Sequence, residues 1–472
     1  MKLRNSAVLC LTGAALLLPL RLPAAKETPL GEVTFSRDIA PILQRSCQNC
    51  HQPNSVAPMS LITYKEVRPW ARAIKARTAL RDKVGVMPPW YIEKNIGIQK
   101  YTNDPSLSEL EIAKIAKWAD DGAPEGNPAD LPPAKPLDEE GKWTAGTPDL
   151  IISSPEILVK AGSPDWWGEL ESVPTGLTED RWVKSVEIRE VNDVKGDGGR
   201  KTVGSRYVFH HMIWTAAVPG QTRSEDFVGG SESGTWPVHE VGRNADIFPD
   251  NAGKLLRAKS DLILYSTHLH SNGRETKARL VYGFRFFPKD YKPTVRYARR
   301  ALGNGMDIDI RAGETNQRLD AYQVLEEHTK ITSFEPHMHA PGVRMCLEAI
   351  WGSNIQTLSC AGYDHNWVRV YEYDDDAAPL LPKGTILHIT GYFDHTANNK
   401  NVPDARNWSG AGNRSISNMF IDLGQGVALT DDQFQAEMKQ RREKLKLGRN
   451  DVVIGCPLCN GDPIIRAPRK QE

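Results

Sequence analysis

The residues best placed to do chemistry fall into a few short clusters. Cys47-Gln48-Asn49-Cys50-His51 sets two thiols one helical turn apart, with an imidazole directly after the second. That spacing lets both sulfurs reach the vinyl groups along one edge of a porphyrin while the histidine ligates iron. The motif therefore points to one covalently attached c-type haem. A redox C-x-x-C or half of a zinc site is the competing reading of the same residues. A thioether on the opposite axial position raises the potential, and Met87 is the expected donor. In Met87-Pro88-Pro89-Trp90 the prolines hold an extended loop, whereas Met59 follows the histidine closely and can simply pack.

Histidine is the second concentration. The chain has 12, and most of those outside the haem motif lie in His210-His211, His268-Leu269-His270 and His337-Met338-His339, with His328 shortly before the third group. On a strand, residues two apart point to the same face, so His337 and His339 can share an ion, as can His268 and His270. Adjacent His210 and His211 can do so only where a bulge, or the use of different ring nitrogens, offsets the alternation. His239, His365, His388 and His395 stand apart from these groups and are read as structural residues.

The elements that must position these residues are of two kinds. From about 32 to 124 the pattern is helical. Ser36 can cap a helix whose Ile39, Ile42 and Leu43 lead straight into the cysteines, and Val67, Trp70, Ala71 and Ile74 mark a second. The best-marked helix begins at Ser108, where Glu111 completes a capping box and Leu107 with Ile112 forms a hydrophobic staple; it stops at Gly122-Ala123-Pro124. Residues 125–147, rich in proline, glycine, alanine and acidic side chains, read as a linker. Beyond it, short β-type runs at 207–217, 262–270, 280–287, 331–338 and 386–393 predict antiparallel sandwiches. A break at 302–317 divides them into units at 148–305 and 306–447, the second ending in a charged helix over 430–447, and 448–472 form a tail. At ~150 residues per domain the chain length agrees with about three domains: one small all-α domain and two all-β sandwich domains.

Charge adds an exclusion. With 59 basic and 59 acidic residues and no long run of either sign, nothing marks a nucleic-acid or anionic-membrane partner. Residues 1–25, with Lys2, Arg4, an apolar run over 7–20 and Pro23-Ala24-Ala25, read as a cleaved secretory signal. The mature protein is then expected to be periplasmic or secreted, with no transmembrane anchor. Of seven cysteines, Cys10 lies in this leader and the others pair locally as Cys47 with Cys50, Cys346 with Cys360 and Cys456 with Cys459, which suits an oxidising compartment. Trp351-Gly352-Ser353-Asn354 is a plausible turn, so Cys346 and Cys360 read as a hairpin disulfide. Cys456 and Cys459 are open to three readings: a small-loop disulfide, which we prefer, a metal clip or a reactive redox pair.

Two resemblances draw these clusters together. Residues 32–124 resemble a class I cytochrome c domain. Across 148–425, the ordered motifs His210-His211-Met212, His268-Leu269-His270-Ser271, His337-Met338-His339 and Ser417-Asn418-Met419-Phe420 resemble the copper type II, ascorbate-dependent monooxygenases. Peptidylglycine alpha-hydroxylating monooxygenase and dopamine beta-monooxygenase belong to that family. Leu381-Pro382-Lys383-Gly384-Thr385 and Asp394-His395-Thr396-Ala397-Asn398-Asn399 are similar to the bacterial members that fuse a cytochrome c domain to this module. The resemblance implies two jelly-roll domains facing a solvent cleft, an electron-transfer copper on His210, His211 and His268, and an oxygen-binding copper on His337, His339 and Met419. It alone, and not spacing, prefers His268 to His270. A soft thioether favours Cu(I), the state that must meet dioxygen. The implied activity is hydroxylation of a C–H bond of an unidentified small-molecule or peptide substrate. Electrons would come from a periplasmic donor through the haem. The motifs place no substrate-anchoring residue. The rival readings are a non-catalytic electron-transfer or copper-handling protein and an oxidase that releases peroxide.

Overall fold

A computed structural model describes residues 30–136 (apart from 54, 56 and 58), 143–194, 206–220, 236–240, 245–304, 307–412, 414, 416–448 and 450–459. The expected leader, part of the linker and most of the tail lie outside these residues.

Helices cluster in the N-terminal segment, where their caps are local. Ser108 Oγ accepts from the backbone N–H of Glu111 while the Glu111 carboxylate accepts from Ser108 N at 2.8 Å, starting the helix Glu109–Asp120. Leu107 and Ile112, on either side of that cap, are both buried. A π-helical turn, Phe35–Ile39, runs into the helix Ala40–Ser46, which ends at the haem motif. Tyr64–Val67 and Ala71–Thr78 are separated by the 3-10 turn Arg68–Trp70, which holds Pro69. Phe35, Ile39, Leu43, Val67, Ile115 and Trp118 close a small core. Residues 32–124 are nevertheless not a self-contained helical unit. Trp90, Ile92, Ile98 and Tyr101 leave this core for that of the C-terminal sheets, where Ile92 bridges to Ala361 and Tyr101 to Tyr373. An extended, apolar run without helical periodicity finds its hydrogen bonds on a sheet instead.

The remainder is dominated by antiparallel sheet. In Thr276–Phe286 every second side chain, Ala278, Leu280, Tyr282 and Phe284, is buried, as the two-residue strand period requires. This strand pairs with Leu150–Ser153 and Arg181–Asn192 in a six-stranded sheet. A four-stranded sheet sets Asp261–Leu269 between Trp166–Pro174 and Phe209–Ala217, with His239–Glu240 beyond the latter. Val183 and Ile188 of the first sheet share one core with Phe209, Met212, Trp214 and Leu264 of the second. Burying each large apolar side chain of that core contributes about 1.5–3 kcal/mol before entropy is counted.

A second group of sheets follows. Gly342–Trp351 lies between Asn354–Gly362 and Ile386–Phe393, with Gln317–Val324 outside the latter. Shorter sheets add Gln425–Leu429 with His328–Ile331, and Phe420–Asp422 with Pro336–Met338. Arg296–Arg299 and Leu302–Asn304 pair with Gln425–Leu429 and Phe420–Asp422. The strands thus change partners before the expected join at 302–317. Cys346 and Cys360 are directly opposed across one strand pair and form a disulfide, as do Cys456 and Cys459. Thr430 caps the helix Asp431–Leu445, which buries Phe434 and Met438. Among the described residues no helix is long and apolar enough to cross a membrane.

Candidate functional site

The adjacent pair His210-His211 depends on an irregularity in its strand. Pairing with Asp261–Leu269 runs Phe209 to Leu269 and then His211 to His268, so His210 is the extra residue of a β-bulge. Phe209 and Met212 anchor the strand in the core on either side, and the bulge frees both imidazoles from strict alternation. The ring nitrogens of His210 and His211 come within 3.4 Å, both Nδ1. Their ligand atoms and that of His268 all lie within 4.8 Å of one another. His268 is buried, stacks on Trp167 at 4.4 Å and sets Nε2 3.1 Å from Asp165 Oδ2. A carboxylate in that place is the outer-sphere group that orients a ligating imidazole. His270 is instead tied by Nε2 to the Tyr207 carbonyl at 3.0 Å and stands outside the cluster.

The third group approaches the same place from the other sheets. His337 and His339 flank Met338, whose side chain is buried in the core, and their rings are 5.5 Å apart. The Tyr363 hydroxyl donates to the Met338 carbonyl and fixes the backbone between them. Pro336–Met338 pairs with Phe420–Asp422 so that Met338 opposes Phe420. The pairing ends there, one residue short of both His339 and half-buried Met419, and Met419 is not among the residues that line the cavity between the histidine groups. Glu240 links the groups: it opposes His211 across the strand pair, and its Oε1 is 3.0 Å from His337 Nδ1.

One cavity results, lined by His210, His211, Glu240, His337, His339 and His365 among others. It has room for an ion or a water molecule between these side chains. Burial first, and neighbouring imidazoles second, push His210 down to about 2 and His211 and His339 well below the ordinary histidine value. These rings are therefore neutral at physiological pH, the form that donates a lone pair to a metal.

His365 departs from the structural reading of the isolated histidines. Its ring is 5.7 Å from that of His210 and 6.4 Å from that of His339. It follows the strand Asn354–Gly362 in a loop, and no periodicity of its own links it to the histidine groups, so only the fold reveals it. His388, by contrast, is held by Glu348 at 2.8 Å and Asp320 at 2.7 Å, and His395 by Ser409 at 3.3 Å. His239 is buried opposite Met212. His328 stacks on Phe434 and pairs with Asp431, at the terminal helix.

In the N-terminal segment Cys47 and Cys50 remain thiols directly after the helix Ala40–Ser46. Burial, and then Cys50, push the Cys47 thiol up to about 12. A thiol so hard to ionise is a poor redox nucleophile. His51 is buried, and its Nδ1 lies 3.2 Å from the Met59 carbonyl. If Nδ1 carries the proton, Nε2 is the coordinating nitrogen. Met59 packs half-buried on the helical core, while Met87 is 42% exposed.

No family model and no curated protein matches the chain. Among solved structures, the empty top-component particles of cowpea mosaic virus align at 8% identity and a TM-score of 0.27, over 62% of this chain and 93% of that one. A human norovirus virus-like particle aligns at 11% identity and a TM-score of 0.15, over 66% of this chain and 86% of that one. Infectious bursal disease virus aligns at 8% and 0.14, over 60% and 73%. Scores this low leave fold and function to be argued from the chain itself.

Proposed function

We propose that this protein is a periplasmic or secreted oxidoreductase with two copper ions held by the histidine groups and one covalent c-type haem, working as a dioxygen-dependent monooxygenase. The observation that carries the copper reading is convergence. His210 and His211, His268, and His337 and His339 come from strands far apart in sequence, yet the first three gather their ligand atoms within 4.8 Å and the last two line the same cavity as the 210–211 pair. Bound copper would supply one-electron redox chemistry and, when reduced, reactivity toward dioxygen. Cys47, Cys50 and His51 are the residues for haem.

The chain's own groups have definable tasks. Asp165 orients His268, Glu240 lies 3.0 Å from His337 Nδ1, and burial keeps the His210, His211 and His339 imidazoles neutral. Met419 is the soft donor assigned to the oxygen-binding ion, and the sheets would form two jelly-roll domains. Met87 would supply a sulfur ligand to the haem. The Met59 carbonyl lies 3.2 Å from His51 Nδ1 and would orient that imidazole. The segment that carries Met87 also reaches the loop of His365: the Tyr91 hydroxyl, four residues after Met87, donates to Asp364 Oδ2 at 3.1 Å. That contact supports delivery of electrons from haem to copper.

The test is anaerobic reduction of copper-loaded protein, then exposure to isotopically labelled dioxygen with candidate substrates. Label in a hydroxylated product is the expected result. Re-oxidation with no product establishes the second reading, an electron-transfer or copper-handling protein.

A further inference from the structure

Three imidazole nitrogens at the cavity lack an ordinary role. Nδ1 of His337, of His339 and of His365 is each buried without a hydrogen-bond partner. The His337 nitrogen is within ion-pair distance of Glu240 but off the hydrogen-bonding direction. Buried polar atoms are normally satisfied, and one left orphaned at a cavity is accounted for when it serves as a ligand. The three residues line one cavity together, and the ring of His365 is 6.4 Å from that of His339. Their nitrogens are not yet as close as those of His210, His211 and His268, so rotation about the side-chain bonds must draw them inward.

His365 is held as a positioned ligand should be. Asp364 makes an Asx turn, with its Oδ1 accepting from Asn366 N at 3.0 Å, and its backbone carbonyl accepts from Trp367 N at 3.0 Å. Its second carboxylate oxygen takes the Tyr91 proton. A loop pinned at three points fixes its side chain much as a regular element does.

We propose that His365 is a metal ligand, the third nitrogen of the ion held by His337 and His339, with Met419 left for the remaining position. This rests on the copper reading above. In the full-length protein, His365→Ala is expected to weaken the second copper ion about tenfold or more in a competition titration, leaving the first ion in place. X-ray absorption should lose one nitrogen scatterer per second ion, and free imidazole should restore binding to His365→Gly. Wild-type affinity and an unchanged spectrum in His365→Ala overturn the proposal. Should that variant lose both ions, His365→Gln decides: loss of the second ion alone supports a ligand, and retention of both refutes it. Two ions retained by the His337→Ala, His339→Ala double variant sink the copper reading itself, a result distinct from failure of the His365 assignment.

Discussion

Replacing Asp165 by alanine removes the carboxylate 3.1 Å from His268 Nε2 and leaves the three imidazoles intact. Loss of such an outer-sphere partner typically costs 10–100-fold in metal affinity, roughly 1.4–2.8 kcal/mol. The structure places this case near the lower bound. The Asp165 side chain is 49% exposed, so water can replace part of its hydrogen bond, and Trp167 stacks on His268 with ring planes 11° apart. A fall of about tenfold in affinity for one ion is therefore expected, with no change for the other. The assay is a competition titration of Cu(I) against a chelator of known affinity, with His268→Ala as the upper reference. The double replacement of Asp165 and His268 should add little to His268→Ala alone, because the carboxylate acts only through that ring. An Asp165→Ala loss as large as that of His268→Ala, or additive losses in the double variant, would refute the reasoning.

Three further expectations follow from other parts of the chain. Replacing Cys47 and Cys50 together by serine should abolish haem staining on denaturing gels, while Met87→Ala should keep the stain but lower the reduction potential; a potential that responds to Met59 instead reverses the axial assignment. Burial, and then Arg299, hold the Lys254 ammonium down to about 7, whereas in the unfolded chain it titrates near 10.5. The unfolded state thus binds more protons between those values, so stability should rise with pH from about 7 towards 10. Lys254→Met should flatten that rise in a series of thermal melts. Replacing Cys346 and Cys360 by alanine opens a loop of sequence separation 14 and should cost about 3 kcal/mol in denaturant unfolding; a loss near zero would show that the strand pair alone sets the unfolded ensemble.

What the sequence determines by itself is local. The capping box at Ser108, the C-x-x-C-H spacing of Cys47, Cys50 and His51, and the cysteines two strands share across a hairpin turn are all settled within a few residues, where covalent geometry dictates which groups meet. Strand period likewise puts His337 and His339 on one face. That same period speaks against His210 with His211, and only a bulge, created by register against Asp261–Leu269, reconciles them. It is silent between His268 and His270, which tertiary contacts separate: one meets Asp165 and the histidine cluster, the other a backbone carbonyl. His365 and the packing of Trp90 and Ile92 into a distant core have no local signature. Periodicity states which way a side chain points from its own element. Which elements then meet is decided by how the apolar faces of the whole chain bury one another, a global optimum that no short window of sequence contains.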